Sequence, residues 1–231
     1  MGKSAFAASV VTQLQSSEHG ALLGAFFCRF GDDPNRMSPT MLIKSLAIQC
    51  AAHVSKAEFD AIFVPAFKAL PADVSTRDLF DKLLKEPLAK LDARAQPMVL
   101  LIDALDEAGA DANQRKPLLQ LIPRLMKELP SWVRLVITSR PEVDIQHMLK
   151  GFSPFEILED DPRHVADIEV FVRARLRPHI AAESELDEAV ALFMQRSEGR
   201  FVYVATVMDA LLESGGGAVF TLEKLTRELP E

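Results

Sequence analysis

The run Val99-Leu100-Leu101-Ile102-Asp103-Ala104-Leu105-Asp106-Glu107 constrains this chain more than any other stretch. Val99 to Ile102 has no polar alternation, so it reads as a parallel strand covered on both faces. Asp103 then stands at the strand's carboxyl end, where open α/β sheets bind their ligands. Asp106 and Glu107 follow three and four positions later. Acids in that pattern suit a cation carried by a phosphate; their competing role is to cap the next helix, whose positive N-terminus favours them.

The second signal is Gly2-Lys3-Ser4, ahead of the apolar, helix-like run Ala5 to Leu14. These residues close the phosphate-loop pattern G-x-x-x-x-G-K-[ST], in which backbone N–H groups and a helix N-terminus surround phosphates. In that pattern Lys3 reaches the β- and γ-phosphates and the Ser4 hydroxyl ligates Mg²⁺. Only the tail of the pattern is present. A bare Gly-Lys-Ser arises by chance in roughly one chain in ten of this length, from average residue usage. Its weight comes from the order in which the acidic strand and a cationic one succeed it along the chain.

The third signal is Val133-Arg134-Leu135-Val136-Ile137-Thr138-Ser139-Arg140-Pro141. It reads as another buried strand, ending in two hydroxyls and a cation. Taken singly, it is an ordinary strand stopped by Pro141. In the order phosphate loop, acidic strand, cationic strand, it gains meaning: Arg140 can touch a γ-phosphate.

Composition narrows the classes. The chain has 231 residues, 48% hydrophobic and 26% charged, which is enough for one large core or two small ones. Residues 1–140 hold 17 basic and 15 acidic side chains, and residues 141–231 hold 9 and 18, so a near-neutral segment precedes an acidic one. The acidic segment reads as a separate subdomain. One Trp, one Tyr and no basic stripe argue against nucleic acid as the main ligand. Cys28 and Cys50 sit in apolar surroundings and read as buried thiols of a reducing compartment, which points to the cytoplasm. The five histidines lack metal-ligand spacing. No apolar run approaches the ~18 residues of a membrane span.

Along the chain, Leu22 to Phe30 reads as a strand and Ser38-Pro39 as the start of a helix with Leu42, Ile43, Leu46, Ala47 and Cys50 on one face. Ser75 to Asp78 resembles a capping box ahead of Leu79, Phe80, Leu83 and Leu84, with a kink expected at Pro87. Residues 98–103 and 133–139 are the acidic and cationic strands. Asn113 to Glu128 reads as a helix interrupted by Pro123, and Phe155 to Leu158 as a last strand. Alternation of helices and strands to this point predicts a parallel sheet. From Asp161-Pro162 onward the pattern is helical, with apolar faces Ile168, Phe171, Val172 and Leu176, then Leu186, Ala189, Val190 and Phe193. Phe201 to Leu212 and Leu222 to Leu229 read as further helices, with a break at Gly215-Gly216-Gly217.

Together with Gly24 to Arg29, Pro130-Ser131-Trp132 and Ser197 to Tyr203, these motifs resemble a NACHT-type nucleoside triphosphatase of the STAND class, in its nephrocystin-3-like branch. The resemblance implies a P-loop α/β domain over 1–160 that lacks its first strand, then a helical domain over 161–231. It implies Gly2, Lys3 and Ser4 on phosphate, Ser4 and Asp103 on Mg²⁺, Asp106 or Glu107 orienting the attacking water, and Arg140 sensing the γ-phosphate. ATP is expected ahead of GTP, with slow Mg²⁺-dependent hydrolysis coupled to conformational change or assembly with protein partners. Ser197 to Val204 departs from many relatives, which carry a proline there that touches the base. Two other readings stand beside this one. The first is a remnant that binds no nucleotide and serves only as an interaction module. The second is a small-molecule P-loop kinase, which the absence of an arginine-rich lid disfavours.

Overall fold

The computed structural model describes residues 3–16, 21–29, 31, 37–70, 73–91, 96–156 and 161–214. They fall in two compact units, the first Lys3–Pro154 and the second from Phe155 onward.

The first unit is built on a three-stranded parallel sheet of order β1 (Leu22–Phe27), β2 (Met98–Asp103), β3 (Val133–Ile137). β2 is central, and its residues Leu100 to Asp103 are buried, as the unbroken apolar run predicts. Leu100 and Ile102 join the main core with Leu42, Ile43, Leu46, Phe80, Leu84 and Ile122. Leu101 is buried outside that cluster, on the opposite face. Helix α1 (Lys3–Ser16) packs against β2 and β1, and its buried residue Ala7 also lies outside the main cluster, so α1 covers the second face.

Local chemistry starts most helices. Ser38 caps α2 (Pro39–Ala52) by accepting from the Met41 N–H, with Pro39 in the first turn. Ser55 and Glu58 form a reciprocal capping box on α3 (residues 56–68). Ser75 caps α4 (residues 76–89) through the Asp78 N–H. Asp111 caps α5 (Ala112–Glu128) through the N–H groups of Asn113 and Gln114. A short helix, α6 (Val143–Leu149), follows β3.

Several expectations need correction. The strand read over Leu22 to Phe30 ends at Phe27, although the Cys28 N–H still bonds the Asp103 carbonyl at 3.0 Å; Phe30 lies outside the described residues. α4 continues through Pro87, with a widened turn just before the expected kink, and α3 continues likewise through Pro65. In each helix a widened five-residue turn (Asp81–Lys85 and Phe59–Phe63) precedes the proline. The N–H at the end of each turn reaches back five residues, Glu86 to Asp81 and Val64 to Phe59, so a proline ring in the next position meets an already loosened ladder. Likewise α5 runs through Pro117 and Pro123 without interruption, held by a buried face of Leu118, Leu119, Leu121, Ile122 and Leu125. Phe155 and Glu156 are irregular rather than strand, and Phe155 is exposed; Ile157 and Leu158 lie outside the described residues.

The second unit packs α7 (Pro162–Leu176), α8 (Glu183–Ser197) and α9 (Phe201–Ser214) around Ile168, Val172, Leu186, Val190, Phe193, Val204 and Met208. Asp161 caps α7, with Pro162 in its first turn. Glu198 and Gly199 take positive φ, 48° and 77°, to turn the chain from α8 into α9, and the Gly199 carbonyl lies 2.8 Å from Nε2 of His164 on α7. The triple glycine and the helix expected over Leu222 to Leu229 lie outside the described residues.

Candidate functional site

Because the sheet is parallel and in register (Phe27 beside Asp103, Ile102 beside Ile137), all three strands end at one rim. Most of the residues singled out in the sequence gather there.

Asp106 is the hub. It lies in a single 3₁₀ turn (Leu105–Glu107) and is only 8% exposed. Its Oδ2 accepts from Lys3 Nζ at 2.9 Å, a contact between residues 103 apart in sequence. Its Oδ1 accepts from the Arg140 backbone N–H at 2.9 Å and, more weakly, from Ser139 Oγ at 3.4 Å. The Arg140 guanidinium stands 3.5 Å from Oδ2 but is mostly in solvent. Burial by itself would raise the Asp106 pKa; the Lys3 ammonium and the Arg140 N–H outweigh it and hold the carboxyl below its ordinary value.

Asp103 ends β2 and is almost fully buried. Thr138 Oγ1 donates to its Oδ1 at 2.5 Å and accepts from the Ala104 N–H at 2.9 Å. The backbone ladder carries on past both strands through Thr138. Its N–H bonds the Ile102 carbonyl at 3.0 Å, and its carbonyl accepts from the Leu105 N–H at 2.9 Å. Ala104 has φ 53° and ψ 49°, a left-handed conformation that costs a non-glycine residue roughly 1–2 kcal/mol. That turn aims the Ala104 N–H at Thr138 and swings Asp106 toward Lys3.

Arg115, on α5, holds the acidic turn from behind. It is 6% exposed. Its Nη1 donates to the Asp106 carbonyl at 2.6 Å, while Nε and Nη2 fork onto the Asp144 carboxylate of α6 at 3.0 and 3.1 Å. That fork lowers the Asp144 pKa. Glu107 is partly exposed and, with Asp106, Asp111, Arg115, Arg140 and Glu142, lines an open cleft of about 970 Å³. Cys28, beside the rim, is buried, and burial together with Asp103, Asp106 and Glu107 pushes its thiol up to about 12, so it stays protonated and inert.

The structure thus brings Lys3, Asp106 and Arg140 into direct contact, with Asp103 joined through Thr138 and Glu107 on the cleft wall. Ser4 is exposed in the first turn of α1; Gly2 lies outside the described residues. Sequence reasoning gave no role to Thr138, Arg115 or Asp144. Arg115 left a trace, since it stands three and four positions before Leu118 and Leu119, a cation on an apolar helix face.

Among the described residues, no three His, Cys, Asp or Glu side chains converge as a resident metal centre. Magnesium in nucleotide sites is held by one or two protein ligands plus phosphate oxygens. The Asp103 carboxylate bonds no described side chain but Thr138, which leaves it capacity for such a role, while the Ser4 hydroxyl is exposed. Among the described residues, no helix is long and apolar enough to cross a membrane.

Residues 1–140, from α1 through Arg140, match the family model described as Nephrocystin 3, N-terminal. The chain matches no curated protein and no solved structure. The match spans more than half of the 231 residues; the chain belongs to the nephrocystin 3 N-terminal family.

Proposed function

We propose that the first unit is the nucleotide-binding part of a STAND-type, NACHT-like switch, taking a nucleoside triphosphate, ATP ahead of GTP, with Mg²⁺. The observation that carries this reading is the Lys3–Asp106–Arg140 cluster at the strand rim. A lysine at a helix N-terminus and an arginine after a neighbouring strand converge on one point, as recognition of a polyphosphate requires. In this reading Gly2, Lys3 and Ser4 meet phosphate, Ser4 and Asp103 hold Mg²⁺, Glu107 or Asp106 orients water, and Arg140 reports the γ-phosphate. The bound metal would neutralise charge on the phosphate oxygens. Turnover is slow, since the output is a change of state passed to protein partners or self-assembly. A cytoplasmic location accords with the two unpaired thiols.

A second reading is an interaction module that binds no nucleotide. Asp106 favours it, because that carboxylate already satisfies Lys3 and faces Arg140. Thermal melting separates the two. With Mg²⁺-ATP at a hundredfold excess over its dissociation constant, the protein gains about 2.7 kcal/mol, and Lys3→Ala or Asp103→Asn removes the gain. A folded protein unmoved by millimolar ATP is the assembly-only module.

A further inference from the structure

The Thr138 hydroxyl is placed between two groups that leave it one orientation. It accepts from the Ala104 N–H at 2.9 Å, so its proton is directed to Asp103 Oδ1, 2.5 Å away. Its backbone is fixed on both sides by the continued ladder, N–H to Ile102 and carbonyl from Leu105. A threonine so held is a rigid donor. Ala104 keeps a left-handed backbone to complete the arrangement, and such outliers persist where the surroundings over-determine them. Oδ1 being engaged, Oδ2 is the oxygen of Asp103 left for another partner; among the described residues no second side chain bonds this carboxylate.

We propose that Thr138 is a positioning residue for Asp103, fixing the carboxylate so that Oδ2 is presented to a phosphate-bound divalent cation. The proposal rests on the nucleotide-switch reading of the first unit. It explains why a hydroxyl, rather than another apolar residue, follows Ile137 at the end of β3. Outer partners of this kind set ligand orientation, and their loss typically lowers metal affinity about 10- to 100-fold. Valine has nearly the shape of threonine but removes both hydrogen bonds; serine keeps both.

The test measures ATP affinity of the whole chain by calorimetric titration, in Mg²⁺ and in EDTA, for wild type, Thr138→Val and Thr138→Ser. Wild type and Thr138→Ser are expected to bind ATP more tightly in Mg²⁺. In Thr138→Val that enhancement falls by about tenfold or more, with affinity in EDTA unchanged. An undiminished Mg²⁺ enhancement in Thr138→Val overturns the proposal. So does an equal loss in both media, which makes Thr138 merely structural. If wild type binds no ATP in either medium, the nucleotide reading fails and this proposal with it. Should Thr138→Val not fold by circular dichroism, Thr138→Cys, similar in volume with a weaker donor, is judged by the same criteria.

Discussion

Asp106 and Glu107 are neighbours with different exposure, and the nucleotide-switch reading gives them different work. Asp106 is buried and takes three donors, from Lys3, Arg140 and Ser139. An acid so engaged is poorly free to turn a water. Glu107 lines the cleft and is partly exposed. Glu107→Gln is therefore expected to slow ATP hydrolysis more than it weakens ATP binding, because a water-orienting acid acts in the transition state. Asp106→Asn instead releases Lys3, and ATP binding tightens by about tenfold or more, since a charged hydrogen bond is worth about 1.5–3 kcal/mol and 1.4 kcal/mol is a factor of ten. Wild-type turnover in Glu107→Gln, with loss only in Asp106→Asn, would reverse the assignment. Acid titration probes the same contact. The Asp106 pKa is lowered in the folded protein from 3.8, so the stability it contributes is complete above that value and lost as pH falls through the folded pKa. The melting-temperature gap between wild type and Asp106→Asn should hold steady above about pH 5 and narrow as pH falls below 3.8. The sequence marked both acids as candidates but did not separate them, because their roles depend on which one Lys3, 103 residues away, comes to meet.

Among the elements, β2 was legible to the residue, Met98 to Asp103, because a strand buried on both faces has no alternation to blur its ends. Helix starts were legible where a Ser or Asp cap and a proline coincide, at Ser38 and Asp161, and at Ser75, where the cap is followed by an acid three positions on. The continuation of a helix past its prolines was not. A widened turn ahead of Pro65 or Pro87 has no composition of its own, and tertiary burial decides whether the helix continues. The link from α5 to α6 through Arg115 was equally hidden, since Asp144 lies 29 residues on. It has a measurable consequence. Arg115→Met leaves the Asp106 carbonyl and the Asp144 carboxylate without their buried donor. A loss of roughly 2–3 kcal/mol in urea unfolding is expected, below the cost of a fully buried pair because Asp144 keeps some water contact. A loss under about 0.5 kcal/mol, the range of ordinary surface changes, would show that the fork bears little on the fold.

At the scale of the molecule, the two edges of the sheet differ. At β1 the Gln49 amide stands in for a neighbouring strand, accepting from the Ala25 N–H at 2.9 Å and donating to its carbonyl at 2.8 Å. This seals the edge at its middle. At β3 no such device is found among the described residues: β3 pairs with β2, and Leu135, Val136 and Ile137 are only half-buried although the run is apolar. A sequence of that kind is suited to a strand with partners on both sides. An apolar edge of this sort invites pairing with other chains. The protein is accordingly expected to scatter light on concentration. An apolar parallel strand supplied beside β3 is expected to lower that scattering, because it would cover the edge. Light scattering measured over a concentration series checks this. If the protein is instead monomeric and its scattering does not rise with concentration, the β3 edge is already covered, and a sheet open at β3 is the wrong picture of this fold.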